Sequence, residues 1–431
     1  MLAARRGIML ATGAAVAGVF TACAPLAAAT PAPLAAGVAA APADSIRDGQ
    51  WPVLDALDVP SAWQISQGQG VTVAVIDSGV NPEVSDLTGS VTSGPNLTGI
   101  DTLSTNPHWG EHGTWMASII AGHGHDGGGD GIIGVAPQAK ILSIRVIPDK
   151  DDPGYGKYEA EPERSIQHSL ATGILDAVHG GARVISMSIG YSAPSSEVRA
   201  ALQYAYSRGV VLIASSGNSG HDDERRDHGY APVSFPADYP GVLSVGALDG
   251  AGGAAGFSSN NLSVQVAAPG VNVPAQGRDD LYWTVEGTSP ACALVAGVAA
   301  LIESRYPKLS PALVMQALTS TAKNPSGGYN VRTGFGTVDA VGALGAAGRL
   351  TRSHATGSQV AASARFGGGP AAVPAAPVAP RGRGQLVMFV ALAIVSLALA
   401  VAGARWFSAR TRRRRGTHST SYPAQYESRY L

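Results

Sequence analysis

The chain has 431 residues, 45% hydrophobic and 14% charged, with 55 Gly, 28 Pro and 2 Cys. That balance excludes a highly charged disordered polymer, and two cysteines exclude a small disulfide-built scaffold. The net charge of −1 hides an acidic body: from Asp44 to Arg349 there are 17 Lys+Arg against 30 Asp+Glu, a net of −13. Such a body argues against a nucleic-acid partner, because that binding rests on cation–phosphate contacts.

In chain order, Arg5 and Arg6 precede the apolar run Gly7–Phe20, and Ala27-Ala28-Ala29 follow. Basic, apolar and small-residue regions in that order describe a secretory signal peptide, expected over residues 1–29. Thr21-Ala22-Cys23 matches a bacterial lipoprotein site only loosely, since Phe20 stands where that pattern carries Leu or Val. Cleavage after Ala29 is therefore preferred to lipidation of Cys23. A short N-terminal extension, residues 30–50, leads into one folded domain expected over 51–348, near the upper size for a single hydrophobic core.

Within that domain Val71–Asp77, Ile141–Ile147, Val184–Ile189 and Val210–Ser215 are continuous apolar runs that read as buried strands. Ser165–His179 repeats Ile166, Leu170, Ile174 and Val178 at intervals of four, which predicts a helix stopped by Gly180-Gly181. Ser195–Arg208 is a second helical segment. Ser289–Arg305 is Ala/Val/Leu-rich all round, as a buried helix would be, and Pro307 ends it. Buried strands alternating with helices predict an α/β fold: a mainly parallel central sheet between two helical layers.

A Pro/Ala/Gly-rich linker follows over 349–384, with AAVPAAPVAP as a semi-rigid spacer. A transmembrane helix is expected at 385–404, where Leu386–Ala404 contains no charge. At about 1.5 Å per residue this run reaches roughly 28 Å, the thickness of a bilayer's hydrocarbon. Arg405, Arg410 and Arg412 to Arg415 follow it, against Arg381 and Arg383 before it. By the positive-inside rule residues 405–431 form a basic cytoplasmic tail, and the folded domain lies outside the cell membrane on a single-pass anchor.

Three segments carry the chemistry. Asp77 closes the strand VAVID, His112 lies in GEHGTWMASIIAG, and Ser289 lies in VEGTSPACALVAG at the start of the buried helix. Acyl transfer to a serine needs a hydroxyl, a base for its proton and a carboxylate to orient that base. The chain order Asp, His, Ser is the order found in subtilisin and differs from chymotrypsin and the α/β-hydrolases. Separately, each residue has an ordinary explanation as a strand-end cap, a loop histidine and a helix N-cap. Their joint occurrence does not.

With these motifs in view, Trp51–Gly345 resembles a subtilisin-family serine peptidase. Gly134-Val135-Ala136-Pro137, Val245-Gly246-Ala247 and Ala267-Ala268-Pro269-Gly270 match further family landmarks. The resemblance implies a subtilisin-like three-layer fold and an oxyanion role for Asn218 in Ser216-Gly217-Asn218. It also implies that Ser188-Ile189-Gly190 lines the substrate cleft, where an extended peptide would pair. The order of signal peptide, catalytic domain, Pro-rich linker and C-terminal span is similar to the mycosins, membrane-anchored peptidases of actinobacterial type VII secretion. That resemblance implies a protein substrate and the secretion machinery as partners. The extension is too short for a folding prodomain, so it is expected to lie on the catalytic domain without inhibiting it.

The sequence also departs from the family. Pro290-Ala291-Cys292 follows Ser289 where a small or apolar residue and Ala-Pro-His are usual. Pro290 suits a helix's first turn but disfavours helical geometry at Ser289. Cys292 reads as a structural buried thiol. His123-Gly124-His125-Asp126 with Asp130, and His221–Glu224 with His228, read as loops; no metal and no cofactor are expected. The acidic stretch Asp149–Glu163 reads as a solvated loop that could border the cleft. The function expected is serine endopeptidase cleavage of secreted or cell-envelope proteins. The competing class is a structural or regulatory component of a secretion complex with weak or vestigial activity, which a fluorophosphonate probe would distinguish.

Overall fold

The computed structural model describes residues 43–355 except 126–129, 162, 222–228 and 325–326, and also residues 391, 394, 396–398, 401, 402 and 405. The expected signal peptide, the basic tail beyond Arg405, most of the linker and of the span, and the stretch 222–228 lie outside the described residues. Among the described residues no helix is long and apolar enough to cross a membrane.

The sheet grows around β1 (Thr72–Asp77), whose alternate side chains feed two separate cores, as the period of two in a strand requires. Ala74 and Ile76 join Ile144, Ile185, Leu170 and Ile174 on one face. Val73 and Val75 join Ile120, Val295 and Val298 on the other. Neither side of the strand meets water, which is why it reads as an unbroken apolar run. The remaining strands of this sheet are β2 (Val91–Asn96), β5 (Lys140–Arg145), β6 (Val184–Met187), β7 (Val211–Ser215), β8 (Val242–Leu248) and β9 (Val266–Pro269). They lie in the order β2-β5-β1-β6-β7-β8-β9 and all pair in parallel. The mainly parallel α/β sheet expected from the sequence is present.

The first core is roofed by α5 (Glu163–His179) and α6 (Ser196–Ser207), which pack on each other. Ser195 caps α6, its hydroxyl accepting from the Val198 N–H at 3.3 Å. The second core is roofed by α3 (Glu111–Ala121) and α7 (Thr288–Arg305). The latter is buried from Pro290 through Glu303 and ends at Tyr306, before Pro307.

Two readings need correction. The glycine-rich stretch read as a loop contains an antiparallel pair, β3 (His123–His125) and β4 (Asp130–Ile133). The pairing was hidden because each strand contributes only three or four residues. Its anchor is remote in sequence: His125 Nδ1 lies 2.7 Å from Oδ1 of the fully buried Asp86, and Asp86 Oδ2 accepts from the Ile132 N–H. The acidic segment 149–163 is not a uniformly solvated loop either; Asp152 is buried and pairs with Arg145 at 2.6 Å. Part of the segment folds as the short helix α4 (Tyr155–Glu159).

At the N-terminal end, α1 (Ala43–Asp55) lies along β4. Arg47 donates to the carbonyls of Gly131 and Asp130, and the Gln50 amide both donates to and accepts from the Ile133 backbone. A turn of helix, α2 (Val59–Ala62), connects α1 to the sheet.

Candidate active site

After β5 the chain crosses β1 and continues the sheet as β6, so β1 sits where the winding changes direction. Groups beyond the carboxyl end of such a strand face the crevice in which open α/β sheets bind ligands. Asp77 is the residue at that end. It is 1% exposed, and its Oδ1 accepts from the Ser78 N–H at 2.6 Å and from His112 Nδ1 at 2.8 Å. A carboxylate only accepts, so Nδ1 carries the ring proton and Nε2 is left with its lone pair.

His112 comes from the first turn of α3, seated directly on the chain that leaves Asp77. Gly79 adopts φ 102°, and a Cβ there would lie 2.6 Å from the Trp109 ring. A Cβ on Gly113 would lie 2.1 Å from the Gly79 carbonyl oxygen. Side chains at either position would lift the helix away from Asp77, which explains both glycines. Burial pushes the His112 pKa down, but the Asp77 charge and hydrogen bond, with Asp149 behind them, outweigh it and hold the pKa above its ordinary value.

Ser289 stands in the first turn of α7, which begins one residue earlier, at Thr288. Pro290 is accommodated in this turn, where backbone N–H groups have no partner inside the helix. The Ser289 N–H belongs to the same set of unpaired donors. Its nitrogen and the Asn218 amide both border Gly287: a Cβ there would lie 3.6 Å from Ser289 N and 3.4 Å from Asn218 Nδ2. Asn218 Oδ1 accepts from the Thr288 N–H at 3.0 Å and from the Thr288 hydroxyl at 2.9 Å. The N–H cannot accept, so the amide's oxygen is fixed on Thr288 and its NH₂ is turned to the other side. The same hydroxyl accepts from the Gly217 N–H at 3.2 Å.

A cleft of about 390 Å³ joins the remaining expected residues: Ser188, Ile189 and Gly190 line it with Asn218, Thr288 and Ser289. A larger recess of about 620 Å³, between residues 97–100 and the start of α5, contains none of them. Cavity size alone therefore misleads here. Among the described residues no group of three or more His, Cys, Asp or Glu side chains is placed to hold a metal ion. Cys292 is fully buried, and burial pushes its thiol up to about 11, so it is not a thiolate at neutral pH. The reading of the sequence missed Thr288, which looks like an ordinary helix-start residue, and Asp149, whose carboxylate meets the start of α3.

Against known proteins, the family model for subtilases matches residues 68–336, more than half of the chain. The chain belongs to the subtilase family. Members are serine peptidases, and this subtilase is of the mycosin type. It is 34% identical to mycosin-1 of Mycobacterium tuberculosis over 67% of this chain and 71% of that protein. To subtilisin DY of Bacillus licheniformis it is also 34% identical, over 64% of this chain and 91% of the relative. Among solved structures, a MycP3 protease from the type VII (ESX-3) secretion system superposes with a TM-score of 0.57 at 33% identity, covering 68% of this subtilase and 87% of that chain.

Proposed function

We propose that this subtilase is a membrane-tethered, extracytoplasmic endopeptidase that cleaves secreted or cell-envelope proteins through an acyl-enzyme on Ser289. The observation that carries this reading is the 2.8 Å hydrogen bond from His112 Nδ1 to the buried Asp77 carboxylate, which leaves Nε2 as a base. Ser289 Oγ attacks the scissile carbonyl carbon while its proton passes to His112 Nε2. Asp77 holds the imidazole and stabilises the imidazolium that forms. The oxyanion is met by the Ser289 N–H and Asn218 Nδ2. Collapse expels the amine, which takes the proton from His112, and a water then repeats the sequence to free the enzyme. The peptide runs extended along Ser188–Gly190, its main chain pairing with that segment.

The anchor is the uncharged run Leu386–Ala404 with six arginines behind it, which keeps the domain outside the membrane and confines it near its substrates. Kinship to mycosins, one of which is described as part of a type VII secretion system, supports that machinery as the partner. Labelling by a fluorophosphonate probe tests the reading directly, since an inert wild-type protein would defeat it. Mapping new termini on surface proteins from wild-type and Ser289→Ala cells would give the substrate. Secretion that survives Ser289→Ala but fails on deletion would reveal a scaffold role in addition.

Two outcomes follow from the geometry. Asn218→Ala is expected to lower kcat by about 10²–10³ with KM little changed, a magnitude known from subtilisin itself. Thr288→Val, which removes one of the two donors that fix the Asn218 amide, should fall in the same direction by a smaller factor; wild-type kcat in both variants would remove Asn218 from the oxyanion site. The pH profile has a defined sign as well. Only the neutral imidazole accepts the serine proton, and its pKa is raised. Activity should therefore fall on acidification with a midpoint above the ordinary histidine value of about 6.5. A midpoint clearly below that value would contradict the assignment of His112.

A further inference from the structure

The start of α3 holds a second carboxylate. Asp149, just past β5, receives three consecutive backbone N–H groups: Gly110 and Glu111 donate to its Oδ2 at 2.8 and 2.9 Å, and His112 donates to its Oδ1 at 3.0 Å. These are the orphan donors of an 11-residue helix whose own N-cap, Gly110, has no side chain to accept them. Asp149 therefore caps the helix from 37 residues away, in the position where the helix dipole favours a negative charge. It is tied into the site on the far side too, through Ser78, whose hydroxyl accepts from the Gly113 N–H at 3.0 Å.

We propose that Asp149 is a positioning residue for catalysis: it fixes the helix start that aims His112 at Asp77, and its charge favours the imidazolium formed during each proton transfer. This rests on the reading of His112 as the general base. Two arguments separate it from simple capping. Its carboxylate binds the backbone of His112 itself, so any displacement moves the base. Its charge, like that of Asp77, acts on the imidazole, while burial raises its own pKa against the backbone donors that hold it. The groups around it partly oppose one another. Glu111 is pushed up to about 7 by burial and by Asp279, Asp149 and Asp151, so it is partly protonated at neutral pH. Arg278 faces Glu111, Asp149 and Asp279.

The test uses the full-length protein and diisopropyl fluorophosphate, whose second-order rate of inactivation is measured against pH. Asp149→Asn is expected to lower the plateau rate about tenfold and to move the acid limb down by on the order of half a pH unit, because an imidazolium without that charge loses its proton more readily. Asp149→Glu, which keeps the charge, should keep the limb within about 0.2 unit of wild type while the plateau falls. If Asp149→Asn does not fold, Asp149→Ser removes the same charge and carries the same expectation. A lowered plateau with an unmoved limb in the neutral variant reduces Asp149 to a structural cap and overturns the proposal, as does an unchanged plateau. A wild-type protein that the reagent does not inactivate overturns the general-base reading beneath it, a different result from an active wild type with an indifferent Asp149.

Discussion

Ser289→Ala is expected to lower kcat by about 10⁶ and to abolish fluorophosphonate labelling, the scale established for the corresponding loss in subtilisin itself. On the proposed mechanism the nucleophile, the base and the orienting carboxylate act as one unit, so removing the hydroxyl should forfeit nearly all of their joint contribution. On the same reading, binding along Ser188–Gly190 and the donors around Asn218 should survive and still favour attack by water by about 10³–10⁴ over solution. Ser289 is half-buried and is not among the fully buried residues of α7. Melting should therefore be almost unaffected, as for a substitution worth within about 0.5 kcal/mol. Residual activity within tenfold of wild type, on purified protein with intact folding, would remove Ser289 as nucleophile.

The second large effect concerns stability. The Arg145 guanidinium is 1% exposed and lies at the carboxyl end of β5, in register with Asp77. It is held by Asp152 at 2.6 Å and by the face of Trp109, 5.2 Å from the ring centroid. Asp152 also accepts from the Thr102 hydroxyl at 2.7 Å and from the Gly154 N–H at 2.8 Å. Asp152→Ala leaves a buried cation without its partner, which costs about 3–5 kcal/mol. In a domain of this size that lowers the melting temperature by about 10 °C. Because Trp109 braces Gly79 beside the start of α3, activity should decline with stability. The double variant Arg145→Met/Asp152→Leu, which removes both charges together, should recover most of the melting temperature. Thermal unfolding of the three proteins decides it: a single variant as stable as wild type would mean the pair contributes nothing.

These two predictions show how unevenly the sequence discloses the molecule. The strand ending on Asp77 and the buried helix carrying Ser289 are legible because burial on all sides leaves a one-dimensional signature, an unbroken apolar run of the right length. The glycines around His112 are legible as a motif, and the structure supplies their reason in the close approach of Gly113 to Gly79. Asp149 and Asp152 are not legible. In a segment rich in Asp, Lys and Glu the default expectation is solvation. Asp152 is held by the guanidinium at the end of β5, and Asp149 by three amides at the start of α3, about 37 residues earlier in the chain. Nothing in local composition reports such partners. The same holds for His125, whose anchor Asp86 lies 39 residues earlier, and for Thr288, whose role depends on an amide 70 residues away.

The side chain of Gln50 has a consequence beyond holding α1 in place. By offering Ile133 both an acceptor and a donor it imitates the next strand of a sheet, and Arg47 occupies the carbonyls beside it. The rim of the small hairpin is thereby closed to any other chain. A molecule trimmed inside α1 would present those amides and carbonyls as an open template, and self-association through added strands is the cost to expect.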